Sequence, residues 1–420
     1  MKIEHIILGG GIAGMGKAVS LSLAGKSFVL LEKEERLGGL IQTLPTQSGN
    51  FELGPNSVFK SPELSQIIAH LGLEEETITS SPASKSRFIF HRGKVRPLKI
   101  SPTGFMGNKI LSPAEKWRAF REISVKTKST ENETLHQFFT RRFGQGFADK
   151  ILDPGIRGIY AQDPEHILTQ LAFPELLEME SKYGSIIKAL KKQPPQKREI
   201  LNFKGGMVQM TKAFQKKHEG SIRLETKVLS ILSTESGFKI EFLEKGKRTE
   251  ILAENVSVCL SATALKEIQT NFGLENIPRL PYTAMQVLIL KIPKTKSSKL
   301  PMGFGFLCGK MANRPYLGLL QNSVIFPENF NQDSTLATVY GFLGKDRENI
   351  KLALEEDLNL RGMTEMIHHH EIPQALPSYN HSNQEVNAAL DALEHKISGI
   401  KFYGNYRKGI SVPKILKSVF

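Results

Sequence analysis

The feature that most constrains the fold is a glycine turn near the start of the chain. Gly9, Gly11 and Gly14 follow the apolar run IEHIIL and precede a run of small residues that ends at Gly25. In such a turn the first glycine permits a tight bend, the second lets a pyrophosphate approach the backbone, and the third lets helix and strand pack closely. A second apolar run, SFVLLE, completes residues 3–32, which predict a strand, a helix and a strand that open a doubly wound sheet.

An acidic residue, Glu32, ends the second apolar run 23 residues after Gly9. An acid about 20 residues beyond the turn usually hydrogen-bonds an adenosine ribose, while the helix N-terminus holds the phosphates. This pairing alone leaves nicotinamide and flavin dinucleotides open. A second glycine turn, Gly38-Gly39, follows Arg36 and would bring more backbone close to an extended dinucleotide. The sequence therefore predicts a dinucleotide-binding site.

Length and composition set broad limits on the chain. Its 420 residues and 40% hydrophobic content suffice for two or three domains with substantial cores. The run HIILGGGIAG is short and broken by glycines, unlike a secretory signal, and no run approaches the roughly 18–20 apolar residues of a membrane-spanning helix. Cys259 and Cys308 are isolated, which indicates neither a disulfide framework nor a zinc site. We therefore expect a reducing, cytoplasmic setting.

The net charge of +14 is concentrated in two windows. Residues 85–128 hold twelve Lys and Arg against two acids, and residues 188–223 hold ten against two. Basic patches of this kind attract nucleic acid, anionic membrane surfaces or acidic substrates. A solvated basic face without a partner is the plain alternative.

The rest of the chain divides into a hairpin, a helical block and further strands. The segment SRFIFHRGKVRPL alternates around HRGK and predicts a hairpin. The pattern is helical from Ser112 to about Leu190, and Ser112 with Pro113 and Glu115 predicts a capping box at its start. KKQPPQKRE, at 191–199, is typical of a polar linker, and strands return after it.

Beyond the first βαβ unit the chain resembles a known superfamily, the flavin-containing amine oxidases, through the spacing Glu32-x-x-x-Arg36-x-Gly38-Gly39. Within it, further segments resemble the oxygen-dependent protoporphyrinogen oxidases over nearly the whole chain. RGIYAQDP followed by FPEL is the most specific piece, because it separates this family from monoamine and polyamine oxidases. In order, the matching segments are FELGPNSVF (51–59), RGIYAQDPEHI (157–167), FKGGMVQMTKAF (203–214), GFGFL (303–307), NSVIFPE (322–328), ALPSY (375–379) and GNYRKGISVP (404–413).

The resemblance implies an α/β fold with three parts. These are an FAD-binding, doubly wound (Rossmann-like) domain, a mixed β-sheet substrate domain and an inserted helical domain. The predicted boundaries are residues 1–80, 200–272 and 372–420 for the discontinuous FAD-binding domain, 81–100 and 273–371 for the substrate-binding β domain, and 101–199 for the helical, membrane-docking insert.

The resemblance also implies that FAD is bound in extended form, with Glu32 on the ribose hydroxyls and the second glycine turn near the flavin end. The residues that match the family's cofactor contacts lie in five short stretches and one isolated position. They are Gly9, Gly10, Gly11, Ile12, Ala13 and Gly14; Glu32, Lys33 and Arg36; Gly38, Gly39 and Leu40; Gly54, Pro55, Asn56 and Ser57; Val228; and Gly404, Ile410, Ser411 and Val412.

The implied substrate is protoporphyrinogen IX, which is apolar over its rings and anionic at its propionates. Flavin N5 would accept hydride, O2 would reoxidise the flavin to give H2O2, and no catalytic side chain is required beyond the cofactor. Arg87 matches the arginine with which the family binds a propionate. A guanidinium suits this role because it can form two hydrogen bonds with a carboxylate. Arg157 and Gly158, with Phe304, Gly305 and Leu307, match the walls of the ring site.

Partners and location follow from the same resemblance. The family docks its helical region on a membrane, and Trp117 and Phe120 lie here among basic residues. We therefore expect a cytoplasmic protein, peripheral to the inner face of the cell membrane, with no nucleic-acid partner. A ferrochelatase-type downstream enzyme is a candidate partner, and the oligomeric state stays open. We expect no metal, because the run His368-His369-His370 lies in an apparent strand where neighbours face opposite ways.

The chain departs from the family pattern at three places. Gln162 stands where the family has glycine, Lys408 where it has the first of two glycines, and Lys414 where it has aspartate. The family's long final helix, whose start is implied to face the flavin ring, is represented by about two turns before Phe420.

Several alternatives stay open. The substrate could be coproporphyrinogen III, with four propionates rather than two. An amine oxidase or a desaturase could share the fold. The non-enzymatic alternative is that the chain is a binding protein similar to GDP-dissociation inhibitors, which have the same glycine turn but bind no flavin.

Overall fold

The computed structural model describes residues 2–99, 102–192, 199–295 and 298–420. Within these residues the backbone forms one sheet of eight strands, one of seven, and two small sheets of two and three strands. A block of helices lies between the hairpin that ends at Pro97 and the strand that begins at Ile200. The predicted α/β class with mixed sheets is therefore confirmed.

The strands, in chain order, are β1 (Lys2–Leu8), β2 (Phe28–Leu31), β3 (Thr43–Thr46), β4 (Gly49–Glu52), β5 (Val58–Phe59), β6 (Thr77–Thr79), β7 (Phe88–His91), β8 (Lys94–Pro97), β9 (Ile200–Phe203), β10 (Ile222–Arg223), β11 (Thr226–Thr234), β12 (Gly237–Glu244), β13 (Lys247–Val258), β14 (Gln269–Thr270), β15 (Tyr282–Pro293), β16 (Gly305–Cys308), β17 (Tyr316–Leu320), β18 (Ser334–Phe342), β19 (Glu365–Pro377) and β20 (Ile400–Phe402).

The α-helices, in chain order, are α1 (Ile12–Leu23), α2 (Pro62–Leu71), α3 (Pro102–Met106), α4 (Pro113–Phe120), α5 (Leu135–Phe143), α6 (Gln145–Phe147), α7 (Asp153–Tyr160), α8 (Thr169–Ala172), α9 (Pro174–Tyr183), α10 (Ile186–Lys192), α11 (Val208–Lys217), α12 (Ala262–Leu265), α13 (Asn322–Ile325), α14 (Arg347–Leu358), α15 (His381–Lys396) and α16 (Val412–Val419).

The eight-stranded sheet has the order β10-β2-β1-β13-β12-β11-β14, with β20 beside β13. Strand β1 is parallel to both β2 and β13, as the predicted βαβ unit requires. Because side chains alternate along a strand, Ile7 packs with helices α1, α2, α11 and α16, whereas Ile6 and Leu8 pack with α12 and α15 on the opposite face. The sheet is thus buried on both faces, which is typical of a doubly wound domain.

The seven-stranded sheet has the order β19-β15-β18-β17-β16-β7-β8. Its pairs are antiparallel except for β16 with β7, which run parallel, so the sheet is mixed. Helix α14 packs Ile350 and Leu354 against one face. Strand β16, which carries the predicted substrate residues Gly305 and Leu307, lies inside the sheet between β17 and β7.

The helical block, α3 to α10, is held together by a buried ion-pair network. Arg142 Nε donates to Glu122 Oε1 at 2.8 Å, and Arg142 Nη1 donates to Glu180 Oε1 at 3.2 Å. Ser185 Oγ also donates to the Glu122 carboxylate. Because burial of an unpaired charge is costly, this network fixes α5, α9 and the start of α10 relative to each other.

Several local predictions are confirmed. Ser112 and Glu115 form the reciprocal bonds of a capping box at α4, and α2 begins at Pro62 and ends before Gly72 in the left-handed conformation. The linker predicted at 191–199 begins within α10, and its residues 193–198 lie outside the described residues.

The division into three domains stays a prediction. The predicted boundary between residues 371 and 372 falls inside β19, which continues to Pro377. None of the helices in the described ranges is long and apolar enough to cross a membrane.

Candidate functional site

The first glycine turn is shaped by close backbone contacts. Gly9 has φ of +100°, and a Cβ added there would lie 2.8 Å from the carbonyl oxygen of Cys259. A Cβ added at Gly14 would lie 1.9 Å from the carbonyl oxygen of Gly9. Only glycine fits at both places, so the turn and the helix behind it pack as closely as the sequence predicts.

Gly11 has a different environment from its neighbours. A Cβ added at Gly11 would meet no described atom within 4 Å, so its glycine is not required by packing within the chain. Gly11 is the N-cap of α1 and provides no side-chain cap, and Ile12 and Ala13 begin the helix. The free N–H groups of the first turn and the positive end of the helix dipole therefore face an open cradle that suits a pyrophosphate.

The second glycine turn closes against the first. Gly38 N donates to Gly10 O at 2.9 Å, and a Cβ added at Gly39 would lie 3.4 Å from Gly11 Cα. Arg36 holds this turn through its guanidinium, which donates to the carbonyl oxygens of Leu37, Gly39 and Ile41. We call the two facing turns, Gly9–Gly14 with Gly38 and Gly39, the glycine cradle. Leu40 follows it with 45% of its surface exposed.

Glu32 lies at the end of β2 beside the cradle. Its Oε2 accepts from Gly10 N at 2.6 Å and its Oε1 accepts from Glu34 N at 3.0 Å, while Lys33 is exposed. Each carboxylate oxygen retains a lone pair for a further donor, such as a ribose hydroxyl. Thr226 N donates to Glu32 O at 2.8 Å, which places the start of β11, and with it Val228, on the same side of the site.

The segment Gly54–Ser57 is joined to the second turn by another close approach. A Cβ added at Gly54 would lie 1.8 Å from the carbonyl oxygen of Leu40, so residue 54 must be glycine for the two backbones to touch. Pro55 and Ser57 are half-buried on either side of Asn56.

Asn56 is the centre of a polar cluster. Its Oδ1 accepts from Asn322 Nδ2 at 2.5 Å, its Nδ2 donates to the hydroxyl of Tyr340, and its carbonyl oxygen accepts from Asn202 Nδ2 at 3.0 Å. Thr338 Oγ1 donates to Asn322 Oδ1 at 2.8 Å. The cluster joins three distant parts of the chain, so it fixes Asn56 beside the cradle.

Glu52 is a buried carboxyl group next to this cluster. Its Oε1 accepts from Met207 N at 2.8 Å and its Oε2 accepts from Thr43 Oγ1 at 2.8 Å. Asn202 Nδ2, at 3.4 Å from Glu52 Oε1, connects it to Asn56. Burial raises the pKa of Glu52 to about 7, against the hydrogen bonds that favour the ionised form.

The C-terminal segment lies beside the first helix. Helices α1 and α16 touch at Gly16, where an added Cβ would lie 2.7 Å from Leu416 Cδ2. Ser411 caps α16, accepting at Oγ from Lys414 N at 3.4 Å, and Val412 begins the helix. Gly404 and Ile410 lie in the loop before α16, and Ile410 packs against the helical block. The structure therefore brings these predicted cofactor residues to the start of a helix that is packed on α1.

The predicted substrate residues lie along β16 and helix α7. A Cβ added at Gly158 would lie 2.4 Å from Leu307 Cδ2, so glycine in α7 lets the leucine of β16 lie flat against the helix. Gly305 has φ of +135°, and an added Cβ there would lie 1.9 Å from Leu319 O. Phe304, just before the strand, lies under Arg87, whose Cζ is 3.6 Å from the centre of the ring.

Two arginines therefore flank this strand. Arg87 Nη1 donates to Ser84 O at 3.1 Å, and burial lowers the pKa of its guanidinium. Arg157 is 3.8 Å from Asp163 and 5.3 Å from the Phe342 ring, and its buried Nε has no hydrogen-bond partner among the described residues. We call Arg87, Arg157, Gly158 and residues 304–307 the slot.

A basic hollow of about 390 Å³ opens beside Arg87. Its three charged lining residues, Lys85, Arg87 and Lys99, are all cationic, and the other lining residues are Ser86, Phe88, Pro97 and Leu98. This composition suits a carboxylate on a partly apolar ligand.

Comparison with known proteins identifies the family of the chain. Residues 12–369 match the family described as flavin containing amine oxidoreductase. The chain belongs to this family. It is an FAD-dependent oxidoreductase, as predicted. The assignment of the glycine cradle and Glu32 to the dinucleotide stays a prediction. Family membership favours the enzymatic prediction over the non-catalytic alternative.

The similar proteins include two kinds of porphyrinogen oxidase. Protoporphyrinogen oxidase 2, chloroplastic/mitochondrial, of Arabidopsis thaliana is 28% identical over 98% of this chain and 91% of its own length. Coproporphyrinogen III oxidase of Bacillus subtilis (strain 168) is 24% identical over 98% of this chain and 95% of its own length. The predicted resemblance is therefore confirmed.

Solved structures show the same fold. A protein of Exiguobacterium sp. 255-15 that is assigned as a protoporphyrinogen oxidase superposes with a TM-score of 0.78 and 21% identity, covering 100% of this chain and 97% of that one. Reduced UDP-galactopyranose mutase superposes with a TM-score of 0.74 and 15% identity, covering 100% and 94%. At these identities the likeness concerns the fold alone.

The histidine run lies in β19, as predicted. His368 and His370 lie on one face with ring centres 6.3 Å apart, while His369 Nε2 is 2.8 Å from Gln286 Oε1 on the other. In the part of the chain that the structure describes, no group of three or more His, Cys, Asp or Glu residues is arranged to hold a metal ion.

Several residues of the site were not predicted individually from the sequence. Glu52, Asn202, Asn322 and Tyr340 surround Asn56, but they were not among the candidate residues. The segments FELGPNSVF and NSVIFPE, which resemble the family, contain Glu52 and Asn322 and were the available signal. Asn202 and Tyr340 lie in strands, and nothing in their local sequence distinguishes them from other polar strand residues.

Proposed function

We propose that this protein oxidises protoporphyrinogen IX to protoporphyrin IX, with O2 as the final acceptor and H2O2 as the second product. Each of three cycles would remove two electrons and two protons and reduce one O2. Bound FAD supplies the acceptor for the hydride, so the chain's own residues bind and orient the porphyrinogen and exclude water.

The observation that carries the proposal is the composition of the slot. Leu307 against Gly158 forms a flat apolar contact, and Phe304 lies near the other end of the same short segment beneath Arg87. A reduced tetrapyrrole has an apolar face and propionates at one edge. The slot offers an apolar surface for the rings and a guanidinium for a propionate, which together would fix the orientation of the substrate.

Arg157 is the second cation of the slot. Its nearest carboxylate, that of Asp163, is 3.8 Å away, and Asp163 also accepts from Lys310 Nζ at 2.9 Å. The guanidinium of Arg157 is therefore only partly neutralised by the chain. We propose that it attracts the substrate's anionic edge or a propionate across the rings from Arg87.

The test is anaerobic mixing of the purified, FAD-loaded enzyme with protoporphyrinogen IX, followed by admission of O2. We expect the flavin absorbance to bleach on mixing and recover with O2, while porphyrin fluorescence grows and H2O2 accumulates. A chain that retains FAD but bleaches with neither protoporphyrinogen nor coproporphyrinogen would refute the proposal. Bleaching with primary amines instead would support the amine oxidase alternative.

Coproporphyrinogen III is the second candidate substrate, and the basic hollow favours it. Lys85 and Lys99 add two positive charges next to Arg87, more than a single propionate requires. The measurement that separates the two is kcat/KM for each porphyrinogen. If the hollow receives additional propionates, neutralising Lys85 and Lys99 together should lower kcat/KM for coproporphyrinogen more than for protoporphyrinogen.

We also propose that the helical block attaches the protein peripherally to the anionic inner face of the cell membrane. Trp117 is 68% exposed on α4, and Phe120 and Ile123 are exposed at three-residue spacing from it. Arg121, exposed beside them, provides positive charge. An apolar ridge with basic neighbours is typical of an interfacial helix.

Trp117 is the only tryptophan in the chain, so its fluorescence reports directly on this contact. We expect a blue shift with phosphatidylglycerol-containing vesicles at low salt, and none with pure phosphatidylcholine vesicles. The pair of changes Phe120→Ser and Ile123→Ser should weaken sedimentation with vesicles. The control Leu352→Ser removes a similarly exposed apolar residue, 59% exposed on α14, and should have no effect. Equal binding by both variants would exclude the ridge as the contact.

A further inference from the structure

Two histidines from distant parts of the chain point their Nε2 atoms at each other. His70 lies in the last turn of α2, and His218 follows directly after α11. Their Nε2 atoms are 3.2 Å apart, the ring centres are 5.3 Å apart, and the ring planes differ by 16°. This pair lies in the doubly wound domain and is separate from the slot and from the histidine run of β19.

The geometry matches two ligands of one metal ion. Imidazole nitrogens bind Zn²⁺ at about 2.0–2.1 Å, so two nitrogens at adjacent tetrahedral positions lie roughly 3.3–3.4 Å apart. Two neutral imidazoles can otherwise form at most one N–H···N hydrogen bond with each other. The observed separation therefore suits either one shared proton or one shared metal ion that both Nε2 lone pairs can reach.

The surroundings hold His218 in place. Its ring contacts Phe214 at 4.8 Å and Phe28 at 5.4 Å between ring centres. Both aromatic residues belong to the core that α2 and α11 share with β2. Both histidines are half-buried rather than enclosed, so water can complete a coordination shell. A site that is held by aromatic packing loses little side-chain entropy when it binds an ion.

A neighbouring positive charge opposes a cation at this place. Lys217 directly precedes His218 in the chain, and its charge acts on the His218 ring. The positive charge of Lys217 lowers the affinity for a second cation, so removing that charge should tighten binding.

We propose that His70 and His218 form a two-histidine site for a divalent transition-metal ion such as Zn²⁺, completed by water, that clamps α2 to α11. The two ligands are separated by 148 residues, so the ion would cross-link two helices that lie far apart in the sequence. An ion that binds only the folded chain stabilises it by mass action. The site has a structural role, and the oxidation reaction does not depend on it.

The experiment is thermal unfolding and equilibrium dialysis of the FAD-loaded protein with ZnCl2, after removal of trace metal with EDTA. We expect one ion per chain and a rise in Tm of about 3 °C or more at saturation, both reversed by EDTA. His70→Gln and His218→Gln should each abolish the rise. The Tm of each variant without metal shows whether it is folded, which separates a lost site from a lost structure.

Two further variants complete the design. The double change His368→Gln with His370→Gln removes the other histidine pair and should leave the Zn²⁺-dependent rise intact. Lys217→Gln should tighten Zn²⁺ binding severalfold, because it removes the opposing charge. A wild-type protein that takes up no Zn²⁺, with imidazole ¹⁵N spectra that report only a shared proton, would overturn the proposal. A rise that persists in His70→Gln, or that disappears with the β19 pair, would overturn it equally.

Discussion

At the glycine cradle the groove is built from backbone, whereas at the slot it is built from side chains that come from distant segments. Gly9 and Gly14 in the cradle, and Gly54 beside it, are fixed by contacts with carbonyl oxygens that an added Cβ would approach within 1.8–2.8 Å. In the slot, Arg87 rests on Phe304 and Leu307 on Gly158, and the two pairs come from separate parts of the chain. The first region depends on which residues lack a side chain, and the second on which side chains meet.

If the cradle holds FAD and the slot holds the substrate, as we propose, this difference separates cofactor binding from substrate choice. A backbone cradle accepts any pyrophosphate of the right shape, since its donors are N–H groups common to all residues. The slot can change its preference through single substitutions without disturbing the cradle. The comparison predicts that changes in the cradle act on FAD affinity, while changes in the slot act on KM with FAD content unaltered.

The largest effect is expected from Gly11→Ala. The added methyl group meets no described protein atom within 4 Å, so the fold should be retained, but it occupies the side from which a pyrophosphate approaches. We expect the FAD Kd to rise about a hundredfold, equivalent to about 2.8 kcal/mol. Titration of the apoprotein with FAD, followed by flavin fluorescence, measures this change.

Two other glycines serve as controls for Gly11→Ala. Gly220 also has nothing within 4 Å of an added Cβ, lies away from the cradle and should tolerate alanine with no change in FAD affinity. Gly14→Ala places its Cβ 1.9 Å from Gly9 O and should lower the Tm of the apoprotein as well. If Gly11→Ala lowered the apoprotein Tm as much as Gly14→Ala does, the cradle would not be open as described.

The next largest effect is expected from Arg87→Ala in the slot. A charge-assisted hydrogen bond contributes about 1.5–3 kcal/mol, so KM for a porphyrinogen should rise roughly tenfold to a hundredfold. The FAD content should stay the same, because Arg87 contacts Ser84 and Phe304 rather than the cradle. Steady-state porphyrin fluorescence gives KM, and absorbance gives the FAD content.

Lys94→Ala is the matched control for this change. Lys94 is an exposed cation in the same β7–β8 hairpin, so its removal changes the net charge equally without touching the slot. An equal increase of KM in both variants would mean that general attraction, rather than a specific contact, explains the effect of Arg87. Loss of FAD from Arg87→Ala would contradict the proposal that the cradle binds the cofactor independently of the slot.

Much of the fold could be predicted because its signals are local. The capping box needs only Ser112 and Glu115, three residues apart, and the hairpin turn needs Arg92 and Gly93 with φ of +50° and +68°. The first turn of the cradle is local for the same reason, since Gly14 must be glycine to pack against Gly9, five residues earlier. Resemblance to a family extended the prediction to the slot, although the local sequence of Arg87 does not distinguish it from other basic hairpin residues.

The rest of the site could not be predicted because its contacts are between distant residues. Asn56 is separated from Tyr340 by 284 residues and from Asn322 by 266, and no periodic pattern in the sequence relates them. Glu52 ends a short hairpin strand, where an acid would normally be expected to face solvent, yet only 3% of it is exposed. Polar residues that satisfy each other inside a fold are recognised only when the partners are known.

A smaller effect, about 1 kcal/mol, is expected from Glu52 and depends on pH. Its pKa is raised in the folded protein to about 7, mainly by burial, above the ordinary value of 4.5. The stabilising contribution of the protonated group is therefore complete below pH 4.5 and is lost as the pH rises through 7. Between pH 6 and 7 the wild-type free energy of unfolding should fall by about 1 kcal/mol relative to Glu52→Gln, and between pH 7 and 8 by less than half of that.

Chemical denaturation at pH 6, 7 and 8 tests this difference in slope. Glu355→Gln is the control, because Glu355 is also buried but has its pKa lowered by hydrogen bonds from Thr364 and Gly362 that outweigh its burial. That group stays ionised across the range and should not alter the slope. Parallel curves for wild type and Glu52→Gln would show that Glu52 is ionised throughout, as its hydrogen bonds with Met207 and Thr43 favour.

The smallest effect is expected from Lys414, although it stands where the similar family has aspartate and lies in the first turn of α16. Its Nζ is directed away from the cradle, 3.2 Å from Glu175 Oε1 and 3.2 Å from Ala172 O. An ion pair this exposed contributes at most about 1 kcal/mol. Lys414→Gln should therefore change the FAD Kd less than about threefold and leave the flavin reduction potential unchanged. Glu175→Gln is the control, because it removes the partner of the lysine but keeps the lysine charge. If the flavin reduction potential fell in Lys414→Gln but not in Glu175→Gln, the lysine charge would act on the cofactor. The division between a backbone cradle and a side-chain slot would then fail at the start of α16.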